Sequence, residues 1–147
     1  MKALTDFPDE RAWLLEDFDG RIGGAIEEFI RWASAVLTFR CTAATDFQLG
    51  GQTIKAGDKV VMVYASDNRD EEAFDHPERF DLGRNPNPHV GFGGGGVHFC
   101  LGAHVARAQL RAIFGELLRQ VPDIETGDPV YVPGNFIHAI RSMPCTL

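Results

Sequence analysis

The chain has 147 residues, of which 44% are hydrophobic, so its length and composition suit one folded domain with an apolar core. A formal net charge of −7, with no run of basic residues, argues against binding to nucleic acid or to an anionic membrane surface. No apolar stretch approaches the roughly 18 residues that a membrane span needs. The three cysteines form neither a C-x-x-C pair nor an even set, which fits a reducing compartment, and we predict a cytoplasmic protein.

Two helices are predicted at the start of the chain. A proline followed by two acidic residues favours a short helix over residues 8–16, and Asp19-Gly20 is expected to end it. Apolar residues at helical spacing then indicate a longer helix over residues 22–33. Glu28 and Arg31 lie off the apolar stripe of this helix at a spacing of i, i+3, so their side chains can pair.

The pattern then changes to strand-like runs. Residues 38–64 are rich in strand-forming residues and are interrupted by Gly50-Gly51 and Ala56-Gly57-Asp58, which predicts a small antiparallel sheet with tight turns. Residues 66–92 show no sustained periodicity. The apolar residues Phe74, Phe80 and Leu82 are expected to anchor this segment, which favours an irregular but ordered structure over a disordered linker.

The last third of the chain is predicted to contain a helix and a hairpin. Apolar residues recur on two faces of residues 101–120, and a proline follows them, so we expect a helix that is buried on both faces. Residues 130–140 have a strand-turn-strand pattern that predicts a closing hairpin. The predicted fold class is therefore mainly α with a small antiparallel β-sheet, an α+β architecture.

The most informative segment is Phe92-Gly-Gly-Gly-Gly-Val-His-Phe-Cys100-Leu-Gly102, a glycine run that ends on a cysteine just before a predicted helix. Consecutive glycines let the backbone pass flat against a large planar ligand and permit positive φ. The free N–H groups and the positive end of the helix dipole favour a negative sulfur at Cys100. A free cysteine alone is most often a small buried apolar residue, but this pattern predicts a thiolate ligand, for which haem iron is the suitable metal.

Phe92 to Arg107 resembles the haem-binding signature of the cytochrome P-450 monooxygenases. Three other segments agree with that family in order and spacing: Glu28-Phe-Ile-Arg31, Asn68-Arg-Asp70 and Pro77-Glu-Arg-Phe80. A chance match is plausible for any one of these motifs, but not for all four in the same order and with similar spacing.

Two further segments are similar to bacterial, soluble members of the family that receive electrons from a ferredoxin and act on sterols and branched lipids. They are Asn85-Pro-Asn-Pro-His-Val-Gly-Phe-Gly-Gly-Gly-Gly96 and Asn135-Phe-Ile-His138. The resemblance therefore implies haem b as the cofactor, a ferredoxin-type redox partner and a hydrophobic small-molecule substrate such as a sterol or lipid. The implied reaction is oxygen activation and hydroxylation of a C–H bond.

The resemblance covers nearly the whole chain, but it corresponds only to the C-terminal portion of the family's fold. It implies a start at about the J helix, followed by the cysteine loop, the L helix and the closing hairpin. We expect residues 1–147 to form a single partial domain without the distal helices, one of which helps to activate oxygen in the family. Exposed apolar surface is then expected to promote self-association.

The resemblance also implies roles for individual residues, although it assigns no certain catalytic residue to this segment. Cys100 is the implied axial ligand of the haem iron. The other implied cofactor-binding residues are Phe92, Gly96, His98, Gly102 and Arg40. The implied structural network consists of Glu28, Arg31 and Arg79. The implied substrate contacts are Val36, Leu37, Thr38, Asn135 and Phe136.

The sequence departs from the family pattern at the arginine that binds a haem propionate. Counting back from Asp46, that position is occupied by Cys41, and Arg40 lies one residue early. Side chains alternate along a strand, so Arg40 is expected to lie on the face opposite to Cys41. The loss of one charge-assisted hydrogen bond, worth about 1.5–3 kcal/mol, would weaken haem binding about tenfold or more.

Three functions are compatible with the sequence. The first is the haem-ligating part of a monooxygenase. The second is a truncated, non-catalytic product that binds haem weakly or not at all, which Cys41 and the missing distal half favour. The third is a redox-sensing protein in which peroxide reacts at Cys100 without haem.

The Glu28 and Arg31 pair also has two interpretations. It is either a solvated surface pair worth about 0.3 kcal/mol or part of a buried network with Arg79.

Overall fold

The computed structural model describes residues 1–147 as five helices, eight short strands and a long irregular segment. The helices are α1 (Lys2–Asp6), α2 (Pro8–Glu16), α3 (Phe18–Ala33), α4 (Tyr64–Asp67) and α5 (Ala103–Gln120). The strands are β1 (Thr38–Thr42), β2 (Phe47–Leu49), β3 (Gln52–Ile54), β4 (Lys59–Val63), β5 (Glu125–Thr126), β6 (Val130–Tyr131), β7 (Ile140–Ser142) and β8 (Cys145–Thr146). None of the helices combines the length and the apolar character that crossing a bilayer demands.

Helix α3 begins earlier than the sequence predicts. Asp17 is its N-cap, and its carboxylate accepts a hydrogen bond from Gly20 N–H at 3.1 Å, which satisfies a donor that the first turn leaves free. The expected helix break at Asp19-Gly20 is therefore wrong, because both residues lie in the first turn of α3. At the other end, Ser34 adopts the left-handed conformation, with φ of 39°, that commonly closes a helix.

The hydrophobic core lies between α3, α5 and the first two helices. Ile22 and Ile26, which belong to the apolar stripe that the helical spacing predicts, are buried on α3 together with Ala25. Phe114 and Leu118 of α5 belong to the same buried cluster. The complete cluster is Leu4, Leu14, Ile22, Ala25, Ile26, Phe80, Leu82, Phe114 and Leu118.

The strands form four separate antiparallel pairs, and residues 38–64 contain two of these pairs instead of the one small sheet predicted there. β1 pairs with β4, from Thr38 opposite Val63 to Thr42 opposite Lys59. β2 and β3 form a hairpin of their own, whose turn has positive φ at both glycines of Gly50-Gly51. Near the end of the chain β6 pairs with β7, as the predicted hairpin, and β5 pairs with β8.

Between α4 and α5 the chain contains no helix or strand, as its lack of periodicity predicts. Phe74, Phe80 and Leu82 are buried and fix this segment to the helices. The ring of Phe80 lies 5.3 Å from that of Phe7 and 5.4 Å from that of Trp32, measured between centroids. The segment is therefore an ordered meander that is anchored by aromatic packing.

Helix α5 is buried on one face only. Phe114 and Leu118 are buried, whereas the side of the helix that carries Val105 and Ile113 is open, with these residues 60% and 59% exposed. Leu101, just before the helix, is 99% exposed. The expected burial of both apolar faces is wrong for this chain, because no element of residues 1–147 covers the second face.

Candidate cofactor-binding site

Residues 92–102, the cysteine loop, form a closed loop that ends at the start of α5. Cys100 N–H donates to the carbonyl oxygen of Phe92 at 2.9 Å, so the two ends of the segment 92–100 are held together. Three glycines of the run have the positive φ that favours glycine: Gly93 (91°), Gly95 (100°) and Gly96 (77°). The glycine run therefore gives the loop a shape that other residues adopt with difficulty.

The surface around Cys100 is open and apolar. Cys100 is exposed, and so are its neighbours Val97, Phe99 and Leu101. A Cβ atom added at Gly94, Gly95 or Gly96 would have no other heavy atom within 4 Å. A soft sulfur donor beside an open backbone without side chains fits a planar apolar group that carries a thiolate-binding metal, as haem does.

The other predicted cofactor contacts of the loop lie near Cys100 in different environments. The ring of Phe92 is partly buried, with its centroid 6.3 Å from that of Phe99. His98 is exposed. Gly102 is the N-cap of α5, and a Cβ at this position would lie 3.8 Å from Cys100 Sγ. Residues 92–102 thus contain two aromatic rings, one imidazole and one thiol.

Arg40 and Cys41 are neighbours on β1, opposite Val61 and Val60 of β4. Both are exposed. Because successive side chains of a strand alternate between faces, Arg40 and Cys41 lie on opposite faces of this two-stranded sheet. Only one of these positions can therefore face a group bound on one side of the sheet.

The Glu28–Arg31 pair of α3 is fully buried, with both side chains 0% exposed. Arg31 Nε and Nη2 donate to the two carboxylate oxygens of Glu28 at 2.8 and 2.7 Å. The remaining guanidinium donors reach the carbonyl oxygens of Asn68, Pro77 and Arg79 at 2.8, 2.9 and 2.9 Å. All five N–H donors of an arginine are thus satisfied, and the pair is a buried network instead of a solvated surface pair.

Glu28 is also connected to the meander. It accepts hydrogen bonds from Asp81 N–H and Asn87 Nδ2, both at 3.0 Å, and Arg84 Nε lies 3.3 Å from its Oε2 atom. Arg79 enters the network through its carbonyl oxygen, while the residue itself is exposed. Arg79 therefore joins the network through its backbone, and the guanidinium beside Glu28 belongs to Arg84, a residue that no sequence motif singles out.

Asn68 links the end of α3 to the start of the cysteine loop. Its side chain is fully buried, with Nδ2 donating to Ser34 Oγ at 3.0 Å and Oδ1 accepting from Val90 N–H at 2.9 Å. Its carbonyl oxygen accepts from Arg31. The motif Asn68-Arg-Asp70 is the only sequence signal that points to this residue.

A second polar cluster, Glu27, His89 and Arg107, lies beside the cysteine loop. Arg107 Nε and Nη2 donate to the Glu27 carboxylate at 2.6 and 2.7 Å, and His89 Nε2 lies 2.8 Å from Glu27 Oε2. Partial burial alone would raise the pKa of Glu27, but the hydrogen bonds from Arg107 and His89 outweigh it and hold the pKa below its ordinary value. The hydrogen bonds that Arg107 donates to Glu27 also raise the pKa of Arg107.

The two segments predicted to contact substrate meet in the structure. Leu37 N–H donates to Phe136 C=O at 2.8 Å, and Thr38 Oγ1 donates to Asn135 C=O at 2.7 Å. Val36 forms a β-bridge with the residue that follows Phe136. All five predicted contact residues therefore lie within one continuous patch at the edge of β1.

The chain is similar to named bacterial enzymes along most of its length. A methyl-branched lipid omega-hydroxylase of Mycobacterium tuberculosis is 50% identical over 145 residues, which are 98% of this chain and 34% of that protein. A steroid C26-monooxygenase of Rhodococcus jostii is 45% identical over 142 residues, 96% of this chain and 30% of that protein. The chain thus spans about a third of the length of the curated relatives it matches.

A solved structure shows the same similarity to bacterial enzymes. A cytochrome P-450 of Mycobacterium marinum in complex with pseudoionone superposes with a TM-score of 0.97 at 77% identity, over 99% of this chain and 35% of that one. The sequence of residues 23–121 matches the cytochrome P-450 family. The predicted α+β fold, a portion of the cytochrome P-450 fold, is confirmed, and the chain belongs to the cytochrome P-450 family.

Proposed function

We propose that this chain is the haem-ligating part of a monooxygenase that hydroxylates a hydrophobic substrate, in which the Cys100 thiolate would bind the haem iron. The observation that carries the proposal is the cysteine loop, where an exposed thiol follows a glycine run that is closed by the Cys100 N–H to Phe92 hydrogen bond. When bound, haem supplies the activation of oxygen and its insertion into a C–H bond. The chain supplies the sulfur and holds it in place.

Each group of site residues has a separate task in this proposal. The backbone of residues 93–96 allows a flat ring to approach, and Phe92 and His98 are proposed to contact it around its edge. The buried network of Glu28 and Arg31 fixes the meander that leads into the loop. The chain's own residues thus determine where the sulfur lies and how rigidly it is held.

We propose a sterol or lipid as the substrate class. The named relatives act on methyl-branched lipids and on steroids. In this chain, the rings of Phe39 and Phe136 pack at 5.2 Å between centroids, and both residues are partly exposed, 44% and 49%. They offer an apolar contact surface beside the proposed substrate residues. We further propose a ferredoxin-type electron donor and a cytoplasmic location, on the resemblance to ferredoxin-fed bacterial members.

The proposal is tested by reconstituting the purified chain with haem, reducing it and adding carbon monoxide. We expect the Soret absorption band of a thiolate-ligated carbon-monoxide complex. A band of the histidine-ligated or free-haem type would contradict the assignment of Cys100.

A second candidate function is a protein that binds haem too weakly to act as an enzyme. Cys41, at the position of the expected propionate-binding arginine, favours this candidate, because a thiol offers no cation to a propionate. We predict that Cys41→Arg tightens haem binding about tenfold or more, through one charge-assisted hydrogen bond of about 1.5–3 kcal/mol. Haem affinity is measured by absorbance titration.

Thr42→Arg is the matched control for Cys41→Arg. It adds the same charge one residue along β1, on the opposite face of the strand. We expect little change in haem affinity for this variant. Equal affinities of the two arginine variants would contradict the proposed role of position 41.

The open face of α5 leads to a prediction about self-association. Val105 and Ile113 expose apolar side chains, and exposed apolar patches drive association. We predict that the 147-residue chain self-associates at micromolar concentration and that the double variant Val105→Glu, Ile113→Glu is less associated in light scattering. The double variant Gln52→Glu, Gln120→Glu adds two charges at polar positions and should associate like the unaltered chain. A monodisperse monomer of the unaltered chain would contradict this prediction.

A further inference from the structure

The cluster of Glu27, His89 and Arg107 is separate from the Glu28–Arg31 network and has its own connection to the cysteine loop. Its three members come from α3, from the end of the meander and from α5. The His89 side chain is only 4% exposed. A buried imidazole between a carboxylate and a backbone amide has few ways to place its protons.

The hydrogen bonds determine the tautomer of His89. Gly91 N–H donates to Nδ1 of His89 at 3.1 Å, so Nδ1 must carry a lone pair. The ring proton is then on Nε2, which donates to Glu27 Oε2 at 2.8 Å. A second ring proton, on Nδ1, would face the Gly91 donor and break that hydrogen bond. The geometry is therefore satisfied only by a neutral imidazole with the proton on Nε2.

The cluster holds the start of the cysteine loop from two sides. Gly91 precedes Phe92, whose carbonyl oxygen accepts the Cys100 N–H. The guanidinium of Arg107 lies 4.6 Å from the centroid of the Phe92 ring. His89 thus fixes the backbone at Gly91, while Arg107 contacts the ring of the next residue, and one Glu27 carboxylate holds both.

The backbone at Gly91 is also closely packed against α3. A Cβ at this position would lie 2.5 Å from Ile30 Cγ2, so a side chain there would force the loop away from the helix. The hydrogen bond to His89 therefore holds Gly91 in a place where small movements are already restricted. Rotation of the backbone at residues 91–92 would move the acceptor of the Cys100 N–H.

We propose that His89, as the neutral Nε2–H tautomer, is a positioning residue that fixes the start of the cysteine loop and, through Phe92, the direction of the Cys100 sulfur. The second half of this inference rests on the proposed haem-ligating function of Cys100. The first half concerns the haem-free chain and is measured without haem.

The test compares His89→Leu with His89→Gln in the full 147-residue chain. Glutamine offers an N–H donor to Glu27 and a carbonyl acceptor to Gly91, so it can restore both contacts, whereas leucine offers neither. His104→Leu, at an exposed position on α5, is the matched control. We expect the Gly91 amide to exchange with solvent at least tenfold faster in His89→Leu than in the unaltered chain, His89→Gln or His104→Leu.

Two further measurements complete the test. NMR of the histidine ring nitrogens should show His89 with a protonated Nε2 and an unprotonated Nδ1. Haem affinity should fall about tenfold in His89→Leu and recover in His89→Gln. A protonated Nδ1, unchanged Gly91 exchange in His89→Leu, or a glutamine variant that is as impaired as the leucine variant would overturn the inference.

The outcomes also separate this inference from the proposed function. If the unaltered chain gives no thiolate-type spectrum, the role of Cys100 fails, while the ring protonation and Gly91 exchange still decide the role of His89 in the loop. If the spectrum is present and His89→Leu binds haem as tightly as the unaltered chain, the positioning role fails alone.

Discussion

Arg31→Ala is expected to lower the free energy of unfolding by about 3–5 kcal/mol, because it leaves Glu28 as a buried charge without its partner. It also leaves the carbonyl oxygens of Asn68, Pro77 and Arg79 without the guanidinium donors that now satisfy them. Arg31→Lys should recover little of this loss, since an ammonium group has three donors and cannot form the same planar fork. Urea denaturation followed by circular dichroism measures the effect.

The chain contains a matched control for this substitution. Arg119 and Glu116 form a pair with the same i, i+3 spacing on α5, but their side chains are 68% and 61% exposed. Arg119→Ala should therefore cost at most about 0.5 kcal/mol. Similar losses for Arg31→Ala and Arg119→Ala would show that burial adds nothing to the Glu28–Arg31 pair.

Local features of the fold could be predicted from the sequence because short-range spacing determines them. Helices α3 and α5 form close to where they are expected, because each is predicted by the spacing of its own apolar residues. The turn at Gly50-Gly51 follows from the positive φ that glycine permits. The Cys100 loop is noticeable for the same reason, since its glycines and its cysteine are contiguous.

Features that depend on distant residues could not be predicted in this way. Spacing places Glu28 and Arg31 on one helix, but their burial depends on carbonyl groups of the meander, which has no periodicity. The choice between Arg79 and Arg84 beside Glu28 depends on the path of the same irregular segment. Nothing in the local pattern indicates which arginine faces inward.

The polar cluster beside the cysteine loop illustrates the same limit. Glu27 and Arg107 are on different helices, and charged residues such as these are common at exposed positions of helices. Their pairing with His89 appears only when α3, α5 and the meander are brought together. The exposed side of α5 is the converse case, where apolar spacing predicts burial and no element of this chain covers the face.

Replacement of Cys100 by serine is the second substitution with a large expected effect. Serine nearly preserves the size of the side chain but lacks the soft anionic sulfur that the proposed haem ligation needs. The backbone hydrogen bond from residue 100 to Phe92 does not involve the side chain, so the loop should remain closed. We expect the secondary structure to be retained and the thiolate-type haem spectrum to be abolished.

Cys145→Ser is the control that separates ligation from the general loss of a thiol. Cys145 is also exposed, but it lies on β8, which pairs with β5 near the end of the chain. The haem spectrum of this variant should match that of the unaltered chain. Circular dichroism of both variants verifies that each one is folded.

The most direct test is the carbon-monoxide difference spectrum of the haem-reconstituted, reduced chain with Cys100→Ser, recorded beside Cys145→Ser. If Cys100 is the haem ligand, the thiolate-type Soret band is present in Cys145→Ser and absent in Cys100→Ser. A thiolate-type band of equal intensity in both variants would contradict the assignment of Cys100.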